Sequence, residues 1–344
     1  MRTLRVYTVH TLYLSFLCIL LIACGSAPQP VKAPVTKPKK VHASVLPEVS
    51  PSQVLNAPTG VNRWEPSGIA VTDTIIWVVS DRQGYLAGYQ RPVKNEAIPK
   101  YSFVLNPGLL HRVKWEGLEL SKDGHLLLLE AISRSVWSCK EPKEGCKALT
   151  KVDLGQTNDF LNTEMAKVEA FNYIMFEGLA VHEKSLLIGV RGYNAKSTGA
   201  LRPYSWLLNS SNQAVLLKET KGWKYKDKTY GLSGITIHGN HVFLTWSYEN
   251  EESNTRQGVA GLLSVTSFNK DGTLDTPKVC ARFKAKPEGV SIHQQDVFVV
   301  FDEDKARKGE NKDQFKLYTE QDYIWKGSVT ECLKNASSLH HQSR

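Results

Sequence analysis

Methionine is scarce in this chain, with three in 344 residues including the initiator. No second long apolar run follows the one near the N-terminus, and no amphipathic helix of any length stands out after it. A multi-span membrane protein and a helical bundle are thereby excluded as readings. Missing too are HExxH, GxSxG, a Walker loop, a complete EF-hand loop and any CxxC pair. Zinc hydrolases, serine hydrolases, P-loop enzymes and thiolate zinc sites therefore lose their usual signatures. The formal charge is +9 and falls to +7 once Arg2 and Arg5 leave with residues 1–23. That excess favours solubility without indicating a nucleic-acid partner, and a monomer is expected.

β-Branched and aromatic residues are frequent, which tilts the chain towards sheet. Residues 1–23 carry the two arginines and then the twelve-residue apolar stretch LYLSFLCILLIA, a signal-peptide length. Leu21-Ile22-Ala23-Cys24-Gly25 resembles a bacterial lipobox. That resemblance implies cleavage before Cys24, lipidation of its thiol and, with Gly25 following, sorting to the outer membrane with the body of the protein in the periplasm. The other reading is an ordinary signal peptide with an incidental cysteine. Residues 24–60 hold seven prolines and read as a tether, 61–335 as the folded domain and 336–344 as a frayed tail.

Export suits the remaining cysteines, Cys139, Cys146, Cys280 and Cys332. Four thiols allow three pairings. Cys139 and Cys146 enclose a short turn with Pro142 and Gly145, which favours their pairing and leaves Cys280 with Cys332.

Five segments share one pattern: Ser67-Gly68-Ile69-Ala70-Val71, Glu116-Gly117-Leu118-Glu119-Leu120, Glu177-Gly178-Leu179-Ala180-Val181, Ser233-Gly234-Ile235-Thr236-Ile237 and Glu288-Gly289-Val290-Ser291-Ile292. Their glycines lie 49, 61, 56 and 55 residues apart, and each segment leads through a polar turn into a more apolar strand. Recurrence of a two-strand unit at roughly 40–55 residues is the mark of a β-propeller. The expected fold is all-β, with five four-stranded blades; a sixth could hide in the 61-residue interval. An irregular sandwich is the alternative, but it does not demand five hairpins in fixed register. The one helix candidate, Asn162–Asn172, is assigned to a loop, and a strand from one terminus is expected to complete a blade begun by the other.

In a propeller the first strand of each blade lines the axis. The residues before the glycines, Ser67, Glu116, Glu177, Ser233 and Glu288, would then ring one mouth of the channel. Thirteen residues after each glycine stand Asp81, Glu130, Arg191, Ser247 and Asp302, expected as a second ring there. Converging carboxylates must protonate, pair with cations such as Arg82 and Arg191, or hold a metal. Oxygen-only donors suit Ca²⁺. The competing reading leaves the glutamates solvated or bonded to backbone amides.

The order Ser, Glu, Glu, Ser, Glu over five blades resembles the apyrase, or calcium-activated nucleotidase, family of five-bladed propellers. That resemblance implies an axial calcium held by those five side chains. Val79-Ser80-Asp81-Arg82-Gln83-Gly84 is similar to the family's Asp-Arg-x-Gly segment, whose acid and arginine lie in the nucleotide site. Two departures are visible: Ser67-Gly68 replaces the family's Ser-Glu, and Arg191-Gly192-Tyr193 replaces an Arg-Arg pair. A looser similarity runs to bacterial esterase-like phytases and uncharacterised propellers. The expected activity is calcium-dependent hydrolysis of a phosphorylated small molecule, with Asp81, Glu130 or Asp302 as general base and Arg82 and Arg191 binding phosphate. The alternative is a non-catalytic lipoprotein that binds an envelope component.

Overall fold

A computed structural model describes residues 48–49, 53–61, 64–81, 84–93, 96–109, 113–154, 163, 171–197, 201–209, 223–225, 228–248, 261–302 and 321–338. Cys24, the signal segment, most of the tether, Arg82 and residues 339–344 lie outside them, as does nearly all of Asn162–Asn172, whose last two residues open a strand.

The described residues form five sheets. Blade 1 consists of Pro66–Val71, Ile75–Ser80, Tyr85–Gln90 and Pro99–Val104. Trp115–Leu120, Leu126–Glu130, Ser135–Cys139 and Leu149–Val152 make blade 2, and Phe171–His182, Ser185–Ala195 and Leu201–Asn209 make blade 3. Blade 4 runs through Lys228–His238, His241–Ser247, Gly261–Ser267 and Lys278–Phe283. Blade 5 takes Lys286–His293, Asp296–Asp302 and Gln321–Ser328, then closes with Gln53–Asn56, antiparallel to Gln321–Ser328 with Val54 opposite Tyr323. The chain is a five-bladed β-propeller.

Burial follows distance from the axis. All six residues of Ile75–Ser80 are buried because neighbouring blades cover both faces, so the strand reads as one apolar run. The outer strand Pro99–Val104 alternates half-buried and exposed residues, the period-two pattern of an edge. Apolar side chains gather into five clusters, one in each wedge between successive blades, and one of them joins Ile69 and Val78 of blade 1 to Phe298 and Val300 of blade 5.

The repeat glycines permit the ring to close. A Cβ on Gly68 would stand 2.7 Å from the backbone nitrogen of Leu118, and one on Gly289 would stand 3.1 Å from Cα of Gly68. A Cβ on Gly117 would come within 3.2 Å of the Leu179 nitrogen, so blades 2 and 3 are neighbours and the 61-residue interval holds no sixth blade.

Two expectations shift. The folded domain starts before residue 61, because Gln53–Asn56 belongs to blade 5 and Glu48–Val49 pairs in parallel with Lys278–Phe283. A helix, Val329–Ser338, does form at the C-terminus, reaching into the stretch read as a tail. It buries only Val329, Cys332 and Ala336, too few apolar positions to stand out as a periodic signal. Among the described residues no helix is long and apolar enough to cross a membrane.

Both disulfides are present, Cys139–Cys146 across a 3₁₀ turn and Cys280–Cys332 joining blade 4 to the helix, with Cα separations of 5.1 and 4.8 Å. Two such bridges mark an extracytoplasmic protein. Leu55, on the closing strand, is fully buried with Ile324 and Phe298. Leu55→Ala should cost about 2–5 kcal/mol, read from denaturant melts; an unchanged midpoint would show that the closing strand contributes nothing to stability.

Candidate functional site at the propeller mouth

In every blade the pairing of the first two strands slips by one residue beside the repeat glycine. The slips fall between Pro66 and Gly68, Trp115 and Gly117, Phe176 and Gly178, Leu232 and Gly234, and Pro287 and Gly289. The extra residues are Ser67, Glu116, Glu177, Ser233 and Glu288, the predicted first ring. A bulge re-aims the side chain it carries. All five are at least 96% buried, with exposures of 0–4%. Ser67, Glu116, Glu177 and Glu288, with the five repeat glycines, line a small cavity leaving ≈ 10 Å³ for the centre of a water-sized sphere, room for about one water or ion.

The two serines staple blades together. Ser67 Oγ donates to the carbonyl of Trp115 and, at 3.3 Å, to that of Val79, while Ser233 Oγ donates to the carbonyl of Pro287 at 2.7 Å. A hydroxyl that donates keeps its lone pairs and with them the capacity to coordinate a metal.

The second ring surrounds the first, and three cations thread the two. Lys114 pairs with Glu116 and lies 3.8 Å from Asp81; Lys286 pairs with Glu288 and lies 3.9 Å from Asp302. Arg191 of blade 3 reaches Glu177 at 3.5 Å, Glu288 of blade 5 at 3.9 Å and Ser247 Oγ of blade 4 at 2.8 Å. Gly231 makes that span possible, since a Cβ there would stand 2.8 Å from Arg191 Cγ. Lys114 and Lys286 went unnoticed in the sequence, although both sit three residues before a repeat glycine.

Glu130 takes a different part from the one expected of it. Its carboxylate accepts from the backbone amides of Lys114, Ile132 and Ser133 and from the Ser133 hydroxyl, and the residue is fully buried. That is the work of a turn cap. Arg191, buried and spanning three blades, is a strut rather than an open phosphate clamp. Asp81 and Asp302 remain at the mouth beside the lysines, and the Lys114 side chain is the most accessible of the three cations at 31%.

Burial first, then the nearby Glu177, lifts the Glu116 carboxyl well above the usual range. Glu177 is also raised by burial, against the pull of Arg191. Lys114 loses solvation, yet Glu116, Glu177 and Asp81 outweigh that and raise it. Five carboxylates (Asp81, Glu116, Glu177, Glu288 and Asp302) lie within ion-pair reach of three cations among the described residues. As placed, no three acidic, histidine or cysteine side chains among those residues converge on one metal position. The donor types suit a hard cation, being oxygen only beside a cavity of ion size, although as placed each ring glutamate is paired with Lys114, Arg191 or Lys286.

Three residues along the strand from Glu116, Glu119 reaches blade 4, where its Oε2 accepts from Thr236 Oγ1 at 3.5 Å. Burial pushes its carboxyl up to about 8, despite hydrogen bonds from the Leu120 amide and Thr236.

No known family profile and no curated protein matches the chain. Solved structures similar to it include virginiamycin B lyase from Staphylococcus aureus, 12% identical with a TM-score of 0.33 over 72% of this chain and 80% of that one. Glutaminyl cyclase from Myxococcus xanthus is 11% identical, TM-score 0.40, over 82% of this chain and 100% of its own. The PQQ-bound aldose sugar dehydrogenase from Streptomyces coelicolor is 12% identical, TM-score 0.39, over 80% and 98%. Likenesses this distant transfer no chemistry; the architecture rests on the strand pairing.

Two outcomes follow from the mouth. Arg191→Met should destabilise by roughly 3–5 kcal/mol, because it strands Glu177 and Glu288 without their guanidinium; a variant as stable as wild type would show the strut to be dispensable. A raised carboxyl stabilises fully below its unfolded value and loses that contribution as pH rises through its folded value. Glu119→Gln should therefore gain in melting temperature on wild type as pH rises from 5 to 9, and a constant gap would contradict the shift towards 8.

Proposed function

We propose that the protein is a calcium-dependent hydrolase of phosphoanhydrides or phosphate esters, tethered by a lipid on Cys24 in the outer membrane and facing the periplasm. The observation that carries this reading is the ring itself: five buried residues bulged at equivalent places, four of which, three glutamates among them, line a cavity of ion size. Ser67, Glu116, Glu177, Ser233 and Glu288 would hold the ion, which when bound supplies Lewis acidity and charge to a phosphate oxygen. Lys114, part-exposed beside Asp81, neutralises phosphate charge from the protein side, and Arg82 follows Asp81 directly in sequence. Asp81 or Asp302 accepts the proton of the attacking water as its oxygen bonds to phosphorus and the bridging P–O bond breaks, the leaving oxygen being protonated from solvent.

A second reading, a non-catalytic binding propeller, is favoured by the full engagement of Glu130 and Arg191, the two members of the expected machinery with no open face towards a substrate.

Phosphate release from nucleoside di- and triphosphates and simple phosphate esters separates the two. Turnover should require millimolar calcium, vanish with chelator and fall by about 10²-fold or more in Asp81→Asn. No chelator-sensitive turnover on any of these substrates leaves the binding reading. The ion has its own assay: calcium should raise the melting temperature, and Glu177→Gln should weaken that response. An identical melt with calcium and with chelator would remove the metal from the mouth.

A further inference from the structure

The opposite end of the propeller carries histidines. Four residues after the repeat glycine, the first strand ends in His182, His238 and His293 in blades 3, 4 and 5. Two of these are occupied: His182 stacks on Phe268 with centroids 4.0 Å apart, and His293 Nε2 meets Asp73 Oδ1 at 2.8 Å.

Blade 4 differs, because a second histidine faces the first. His238 and His241 are opposite partners across the two-residue turn Gly239-Asn240, and Gly239 takes the left-handed φ of +60° that a turn this tight requires. Directly opposed residues share one face of the sheet with Cβ atoms about 5 Å apart, which brings two imidazoles within reach of one ion. His241 is in turn opposite Ser267 on the third strand, and its Nδ1 lies 2.9 Å from Ser267 Oγ. That bond fixes the ring and leaves Nε2 for another partner, the arrangement by which a neighbouring group orients a metal-ligating histidine. Both imidazoles are half-buried and reachable from solvent.

The strand period separates this pair from His182. Two residues inward, Phe243 and Val265 pack in the wedge shared with blade 5, so His241 and Ser267 lie on that face. Phe268, the platform of His182, packs in the wedge shared with blade 3.

We propose that His238 and His241 form a binding site for an imidazole-preferring divalent transition metal such as Zn²⁺, with Ser267 as its positioning residue. No third histidine, cysteine or carboxylate among the described residues joins them. Water or a donor from a bound partner fills the remaining positions, so the site has one protein ligand fewer than an open zinc centre with three. Calcium, which takes oxygen ligands, is not expected there. The site is independent of the mouth and of the proposed hydrolysis.

Titration calorimetry of Zn²⁺ into the metal-free full chain tests it. Wild type should bind one ion at this site; His238→Gln and His241→Gln should each weaken it by at least about 10-fold, and Ser267→Ala by about 10–100-fold. Melting curves of the metal-free variants should match wild type, which separates lost ligation from lost folding. The proposal is overturned if wild type binds no zinc, or if both histidine variants bind it as tightly as wild type, since the metal then sits elsewhere.

Discussion

Five backbones meeting around one axis is the constraint from which the rest of the structure follows. The meeting is close: a Cβ on Gly68 would stand 2.7 Å from the Leu118 nitrogen, and on Gly117, Gly178, Gly234 and Gly289 one would come within 3.0–3.2 Å of the next inner strand's backbone. Interiors this tightly packed do not yield by half an ångström without cost. The glycines therefore fix the number of blades that fit around the axis, and the neighbouring bulges fix where the preceding side chains point.

From that geometry comes the electrostatic problem of the mouth. Three glutamates aimed at an axis inside protein are costly unless compensated. Lys114, Arg191 and Lys286 carry part of the compensation, and each does so as a bridge: Lys114 to Asp81 of blade 1, Arg191 to blades 4 and 5, Lys286 within blade 5. Glu130 solves its own burial locally, by bonding to turn amides. Each axial glutamate thus has one cationic partner, and the second-ring carboxylates Asp81 and Asp302 share Lys114 and Lys286 with them. The two ends of the channel then differ in chemistry, oxygen donors at one and imidazoles at the other.

Much of the architecture was legible in the chain. Ile75–Ser80 and Asp296–Asp302 stand where the apolar runs after the polar turns stood. Both disulfides followed from spacing and compartment. Less visible were Gln53–Asn56, hidden in a proline-rich stretch because four residues carry little periodicity, and the short helix around Cys332.

By itself the sequence determined the repeat: its period, its glycines and the residues that flank them, because those are local patterns repeated five times. Only the tertiary structure decided which charges meet. Arg191 and Ser247 are 56 residues apart, and the Glu119–Thr236 contact spans 117. The repeat puts such residues at equivalent places, but which of them bond to one another is selected by the ring closing. The bulges belong to the same class: they exist because five strands must turn their side chains onto one axis, a demand that arises only when all five are in place.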